Sequence, residues 1–398
     1  MPKKIEELIS SINDDQIVNA VFKHFPQLYL VGGFIRDKYL GKDNPDRDFI
    51  VVGDLIEIAD RLAKLYNLTK VILNDNITIR LVFKDKITFI DLTRLRDNLI
   101  LDLSSRDFTI NSVAYNPSEG IVDPLKGLDD LEYGLIRTVR EENLINDPLR
   151  MLRAYRFLAE LNGDIEERTR QWIIKNIGSV TSVASERITS EIIKLVSADF
   201  PYRALFKGLK DGIFEEVFSL NKKKLDFIIK NISLFYKKVK ELPEDIKKLT
   251  DEKFDMGLTV KELMLLEVIA QTSDFDKWKL CFSKSINGRI RSFLKKKDRA
   301  RCLLKKPSGG ELYECFKVLS PNLLEFIFFT GTWELFTEME RFFKIQRKPI
   351  VDGNFIKYYM RIDDGPEIGR LVELMKKAEF EGRIKSINDA EAMLKSLK

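Results

Sequence analysis

The spacing of apolar residues changes along the chain. Over roughly the first third, short apolar runs alternate with amphipathic stretches, and from Leu144 onward apolar residues recur almost wholly at the helical spacing. Residues 1–25 read as one helix, with Ile5, Leu8, Ile9, Ile12, Ile17 and Val21 on its apolar face. An apolar run at 28–31 then breaks at Gly32-Gly33. A short amphipathic segment at 34–40 follows, and a second apolar run occupies 49–52. That order predicts strand, glycine turn, helix, strand. Asp54 opens a further helix. Strand candidates come next at 70–73, 79–83 and 87–92; the short turn Lys84-Asp85-Lys86 suggests antiparallel pairing. Amphipathic helices are expected near 183–194, 224–241 and 261–271. The pattern predicts an α+β head, a small mixed sheet flanked by helices, followed by an all-α remainder.

Length and composition narrow this further. A chain of 398 residues exceeds a single core, so two or more domains are expected. With 44% hydrophobic and 32% charged residues, the composition is that of a globular protein. No run approaches the roughly 20 apolar residues of a membrane span, and the polar start resembles no signal peptide, so a cytoplasmic protein without membrane contact is expected. Cys281, Cys302 and Cys315 have neither zinc-ligand spacing nor the density of a disulfide scaffold, and are expected to be reduced and structural. The single histidine, His24, excludes any site needing two, and a surface or packing role is expected for it. Carboxylate and metal chemistry is what remains. A net charge of +5 and a pI near 8.8 permit a nucleic-acid partner.

The residues that carry chemistry crowd into the first half. Gly32 and Gly33 let backbone N–H groups approach a polyphosphate, and Arg36, on the helix that follows, adds a cation for it. Asp46 and Asp48 lie two apart, so on a strand both carboxylates point to one face, where a hard divalent cation such as Mg2+ binds. A glycine turn or an Asp pair alone is ordinary. Their order and spacing together resemble the signature of the polymerase β nucleotidyltransferase superfamily. The form Val31-Gly-Gly-Phe-Ile-Arg-Asp37, then Leu40-Gly41 and the Asp pair, is similar to class II tRNA nucleotidyltransferases and bacterial poly(A) polymerases.

Further stretches extend the resemblance. Asp91, among apolar neighbours, matches the family's third strand acid, the alternative being a solvent-facing strand-edge residue. Residues 105–112 resemble an Arg-Arg-Asp-Phe-Thr-x-Asn-Ala motif, which implies contacts of Arg106, Asp107 and Asn111 with triphosphate and ribose; Ser105 and Ser112 depart from it. Asp123-Pro, Gly127 and Asp130-Leu match the family's connection out of the head. Asp147, Arg150, Arg153 and Arg156 step by three along a helix, as a nucleotide-reading ridge would, and resemble the family's template motif with Asn146 in place of glutamate. A carboxylate can accept from cytosine N4 while a guanidinium donates to N3 and O2, so Asp147 and Arg150 imitate a guanine edge. The plain alternative is that Asp147 caps a helix begun by Pro148. The basic stretches 222–224 and 289–301 suit phosphate contacts, and residues 351–382, including Asp364-Gly365-Pro366, resemble the family's tail.

The resemblance implies a catalytic head at 1–140, a nucleotide-selecting neck at 141–200, a body at 201–305 and a tRNA-binding tail at 306–398. It implies Mg2+-dependent nucleotidyl transfer to tRNA lacking its 3′ CCA, with Asp46, Asp48 and Asp91 catalytic. Only eleven residues separate Arg94 from Arg106, where the family's mobile loop lies. That shortness resembles the CC-adding branch, which uses CTP and leaves the adenosine to a separate A-adding enzyme. The alternatives are complete CCA addition from CTP and ATP, poly(A) polymerase, and a non-catalytic RNA-binding protein.

Overall fold

The computed structural model describes residues 2–73, 77–363 and 365–397; Asp364 of the expected tail motif lies outside them. The chain divides into two units, Met1–Lys222 with Lys277–Leu280, and Lys223–Asp276 with Cys281–Lys398. The expected head and neck both fall within the first.

The head is built on strands β1 (Tyr29–Val31), β2 (Asp46–Val51), β3 (Thr69–Leu73), β4 (Thr78–Val82), β5 (Phe89–Arg94), β6 (Ala114–Asn116) and β7 (Gly120–Val122). They form one sheet in the order β3-β4-β5-β2-β1-β6-β7. Only β2 and β5 run parallel; the other neighbours are antiparallel. The mixed sheet is thus as expected, although β5 starts two residues later than the sequence suggests.

The expected N-terminal helix is two helices, α1 (Pro2–Asn13) and α2 (Gln16–His24). Asp15 causes the break: its carboxylate caps α2 by accepting from Ile17 and Val18 N–H, and it pairs with Arg47 at 2.6 Å. Since side chains alternate along β2, Arg47 is anchored to Asp15 on one face while Asp46 and Asp48 share the other. α3 (Gly33–Tyr39) bridges β1 and β2, and α4 (Leu55–Tyr66) begins where Asp54 caps it. His24 lies at the surface against Tyr66, with ring centroids 6.1 Å apart.

After β5 the chain makes α5 (Leu99–Ser104), then enters the turn Thr109–Asn111. Asp123 accepts from Gly127 and Leu128 N–H, at 2.7 and 2.9 Å, and folds the connection onto that turn. Glycine is required at 127, because a Cβ there would lie 2.1 Å from the Thr109 carbonyl oxygen. The remainder of the first unit is largely helical, including Leu149–Leu161 and Ser185–Val196.

The second unit contains helices Leu225–Lys240, Val260–Ala270, Lys284–Lys296, Gly309–Leu319 and Leu323–Thr330, with a short hairpin of Lys253–Asp255 on Leu258–Thr259. Thr259 and Glu262 form a capping box that starts the helix from Val260. One apolar cluster gathers Phe293, Phe316, Phe326 and Phe342, and another Ile356, Leu371, Met375 and Leu394. Two cysteines expected to be reduced are joined: Cys302 and Cys315 form a disulfide with Cα atoms 6.2 Å apart. Lys306, in the left-handed region at φ 52°, turns the chain between them. That proximity is tertiary, and spacing alone does not reveal it. Among the described residues no helix is long and apolar enough to cross a membrane.

Candidate active site

A cavity of about 450 Å³ opens in the first unit, against the face of β2 that carries Asp46 and Asp48. Gly32 sits at its floor. A φ of 80° and the space both demand glycine, because a Cβ would meet Arg106 Nη1 at 3.0 Å and Asp48 Oδ2 at 3.3 Å. The Gly32 N–H is used by the Val113 carbonyl, so the first-turn N–H groups of α3, rather than that of Gly32, are left without an intrahelical partner.

Asp46 is held by its backbone N–H, which donates to Asn44 Oδ1 at 2.8 Å. Burial raises the Asp46 carboxyl above its ordinary range, an effect opposed by the charge of Arg80. Asp48 is displaced further. Burial, with the charges of Asp91 and Asp46 added and that of Arg106 opposing, pushes it up to about 6. Asp91 stands opposite Asp48 in the parallel β2–β5 register. It is neither solvent-facing nor open to the cavity: Arg80 of β4 binds it through two hydrogen bonds of 2.8 and 2.7 Å. The expected third catalytic acid is therefore neutralised by a neighbouring strand. Among the described residues no three carboxylate, histidine or cysteine side chains converge as a metal site, so the head offers the pair Asp46 and Asp48.

The opposite wall is a chain of ion pairs. Arg36 donates to both oxygens of Asp37, at 2.8 and 3.0 Å, and to Asn111 Oδ1 at 2.7 Å. Asn111 donates to Asp107 at 3.0 Å, and Arg153 binds Asp107 at 2.6 Å and approaches Glu191 at 3.6 Å. Burial alone would raise Asp107. The charge of Arg153 and hydrogen bonds from Asn111, Arg153 and Phe108 N–H bring it down to about 2. Asp107 and Asn111 are thus buried links that orient arginines, rather than groups free to meet a ligand. Arg156 also reaches the cavity wall, with its Nε on Glu191 at 2.7 Å, its Nη1 on Glu160 at 2.5 Å and its guanidinium over the Phe157 ring. Arg106 differs. Its Nε is buried with no hydrogen-bond partner, and its contact with Asp102 is a loose 3.6 Å.

Asp147 does not cap the helix that follows. That helix starts at Leu149 with no side-chain cap, and the Asp147 carboxylate faces Arg187 at 3.1 and 3.2 Å and Arg150 at 3.9 Å. Arg150 Nη1 donates to the carbonyls of Ser105 and Asn143, which leaves Nη2 without a partner among the described residues. Three polar lining residues, Asn44, Arg187 and Lys194, were not singled out as site residues in the sequence. Arg187 and Lys194 lie on the helix Ser185–Val196, whose amphipathic period was the available signal. Asn44 left none beyond standing two residues before Asp46.

Cations gathered over a carboxylate pair hold a polyanion while a bond to phosphorus is exchanged. Such work on a mixed sheet of this topology is that of a polymerase β-type nucleotidyltransferase. Residues 28–137 match the poly A polymerase head domain family, and residues 164–224 the family described as a probable RNA and SrmB- binding site of polymerase A. A CC-adding tRNA nucleotidyltransferase of Synechocystis sp. is 28% identical over 94% of both chains. A CCA-adding enzyme of Lactobacillus johnsonii is 27% identical over 92% of this chain and 91% of its own. The fold matches a Thermotoga maritima CCA-adding enzyme complexed with tRNA at a TM-score of 0.78, with 21% identity, over 99% of this chain and 98% of that one. Residues 28–137 therefore carry a poly A polymerase head domain, and along its length the chain is similar to tRNA nucleotidyltransferases.

Proposed function

We propose that this chain adds two cytidines from CTP to the 3′ end of tRNA lacking CCA, and leaves the terminal adenosine to a separate enzyme. The observation that carries the CC-only reading is the link between β5 and α5. Only residues 95–98 connect them; Leu95 N–H is bonded to the Val51 carbonyl, and Asn98 caps α5 by accepting from Leu101 N–H. A pocket that reads cytosine must rearrange to read adenine, whose donor and acceptor lie elsewhere on the ring. Four residues tethered at both ends leave little chain to act as a lever. The name of the Synechocystis relative supports this reading, whereas that of the Lactobacillus johnsonii relative favours the alternative, complete CCA addition with ATP.

Within this proposal Asp46 and Asp48 hold Mg2+. The fit rests on Asp48, a half-buried carboxylate with no ion pair among the described residues and its acidity suppressed by its surroundings. When bound, the metal makes the 3′ hydroxyl a better nucleophile and offsets charge on the leaving pyrophosphate. Arg106, with its unsatisfied Nε, binds the triphosphate together with Arg36 and Lys194. Asp107, Asn111, Arg153 and Arg156 fix the wall behind them. Asp147 accepts from cytosine N4 and Arg150 Nη2 donates to the ring acceptors. Uracil presents an acceptor to Asp147 and leaves both unpaired.

Incubating the protein with Mg2+, CTP, ATP and a tRNA transcript ending at the discriminator base tests this. Two added cytidines are expected. A three-nucleotide product ending in adenosine overturns the CC-only reading, and a long adenosine tract indicates a poly(A) polymerase.

A further inference from the structure

The basic stretch at 289–301, expected to meet phosphate, is divided by the structure. Arg289 is taken up by the buried Glu325 at 2.5 and 2.9 Å, Arg291 pairs with Asp276 at 2.8 Å, and Lys296 donates to the Ser320 carbonyl. Those three are structural. Lys297 and Arg301 are exposed and make no ion pair or hydrogen bond among the described residues. Both line a second cavity of about 380 Å³ within the second unit, reached from the 3-10 segment Lys297–Lys305.

That cavity lies in the range of small-ligand sites, roughly 300–1,000 Å³. Its wall is aromatic: Phe293 stacks on Phe326 at a centroid distance of 4.9 Å and touches Phe329 at 5.2 Å. Phe227, 57% exposed, stands at the mouth, where water covers a large apolar ring at a cost. Asn231 and Gln271 supply amides, and among the described residues no acidic side chain lines the space. Lys238 is not free for a ligand, because its ammonium donates to the carbonyls of Phe328 and Phe329.

Flat rings, amide groups and two unpaired cations at one rim suit a hydrogen-bonding heterocycle joined to a phosphate. We propose that this cavity binds a nucleotide, its base against Phe227 and Phe329 and its phosphate on Lys297 and Arg301. Two sources supply that chemistry, an unpaired residue of a bound RNA strand or a free mononucleotide. Only the first rests on the tRNA reading above.

Leu234 and Leu304 line the same cavity, and neither lines the active-site cavity. The full chain with labelled leucine methyls is titrated by NMR with adenosine monophosphate, and separately with the tRNA transcript lacking CCA. Shifts of the Leu234 and Leu304 methyls are expected in at least one titration; a response to the mononucleotide identifies a free ligand, and a response to the transcript alone identifies RNA. Phe227→Ala should weaken that binding about tenfold, as loss of one base-stacking ring does. The double variant Lys297→Glu, Arg301→Glu should weaken it at least as much and flatten the salt dependence. No shift in either titration overturns the proposal. So does weakening by the double variant alone, which is the behaviour of a basic surface that takes no base. Cytidine addition at saturating tRNA is measured on the same samples. Its absence in the wild type sinks the catalytic reading while the mononucleotide titration still tests the cavity.

Discussion

Asp48 and Asp91 face each other across the parallel pair β2–β5, yet only Asp48 lines the active-site cavity, because Arg80 holds both oxygens of Asp91. Two like charges side by side are tolerated by neutralising one from β4 and leaving the other for a ligand. Arg80 is itself fixed, its guanidinium 3.8 Å from the centre of the Phe89 ring.

This arrangement predicts a conflict between stability and activity at Asp48. Burial raises it from 3.8 to about 6, so between these values the folded state binds more protons than the unfolded one. Stability therefore falls as pH rises through that window and stays lower above it. Asp48→Asn should be more stable than wild type above pH 6 without divalent metal, by about 1–3 kcal/mol, and no more stable below pH 4. Urea denaturation at the two pH values with chelator present measures it. Equal stability at pH 7.5 would mean that the ionised carboxylate is not penalised.

The same variant, like Asp46→Ala, should lose cytidine transfer while tRNA binding stays nearly intact. Adding Mg2+ at pH 7.5 should raise the melting temperature of the wild type and have less effect on Asp48→Asn. Comparable Mg2+ stabilisation of both proteins would remove Asp48 from the metal site.

Removing Arg80 should act through Asp91. In Arg80→Met the Asp91 carboxylate loses its partner, and Asp48 loses a nearby positive charge that lowers its pKa. The acid limb of the pH–rate profile should move up by about one unit, with preference for CTP over UTP unchanged. An unmoved limb would show that Asp48 does not set it.

Arg153 is predicted to be essential to the fold of the neck. Asp107, held near 2, stays ionised while buried, and the stability this supplies is present above its ordinary 3.8 and lost as pH falls towards 2. Arg153→Met leaves that charge uncompensated and should cost about 3–5 kcal/mol at pH 7, with the gap narrowing in acid. A loss below 1 kcal/mol at pH 7 would contradict the pairing.

Nucleotide choice is predicted to depend on Arg187 as well as on Asp147 and Arg150. Asp147→Ala should relax preference for CTP over UTP before it destroys transfer. Arg187→Ala, which frees the Asp147 carboxylate to rotate, should weaken that preference in part and raise KM for CTP more than it lowers kcat. Full discrimination in both variants would assign the pair a structural role.

What the sequence by itself determined was local. The strand, glycine turn, helix and strand around Gly32, and the shared face of Asp46 and Asp48, follow from periods of two and 3.6 that any short stretch displays. The cap at Asp54 and the shortness of the chain after Arg94 are legible for the same reason. Only the tertiary structure decided which charges are available. Arg80 reaches Asp91 through strand register, Glu191 takes Arg156 from another helix, Glu325 takes Arg289, and Asp15 splits the first helix while reaching Arg47. Cys302 and Cys315 meet only because the chain reverses at Lys306. Partners in these pairs are 11 to 36 residues apart or lie on different elements, and the pattern of apolar positions records which face is buried, not which charge it meets there.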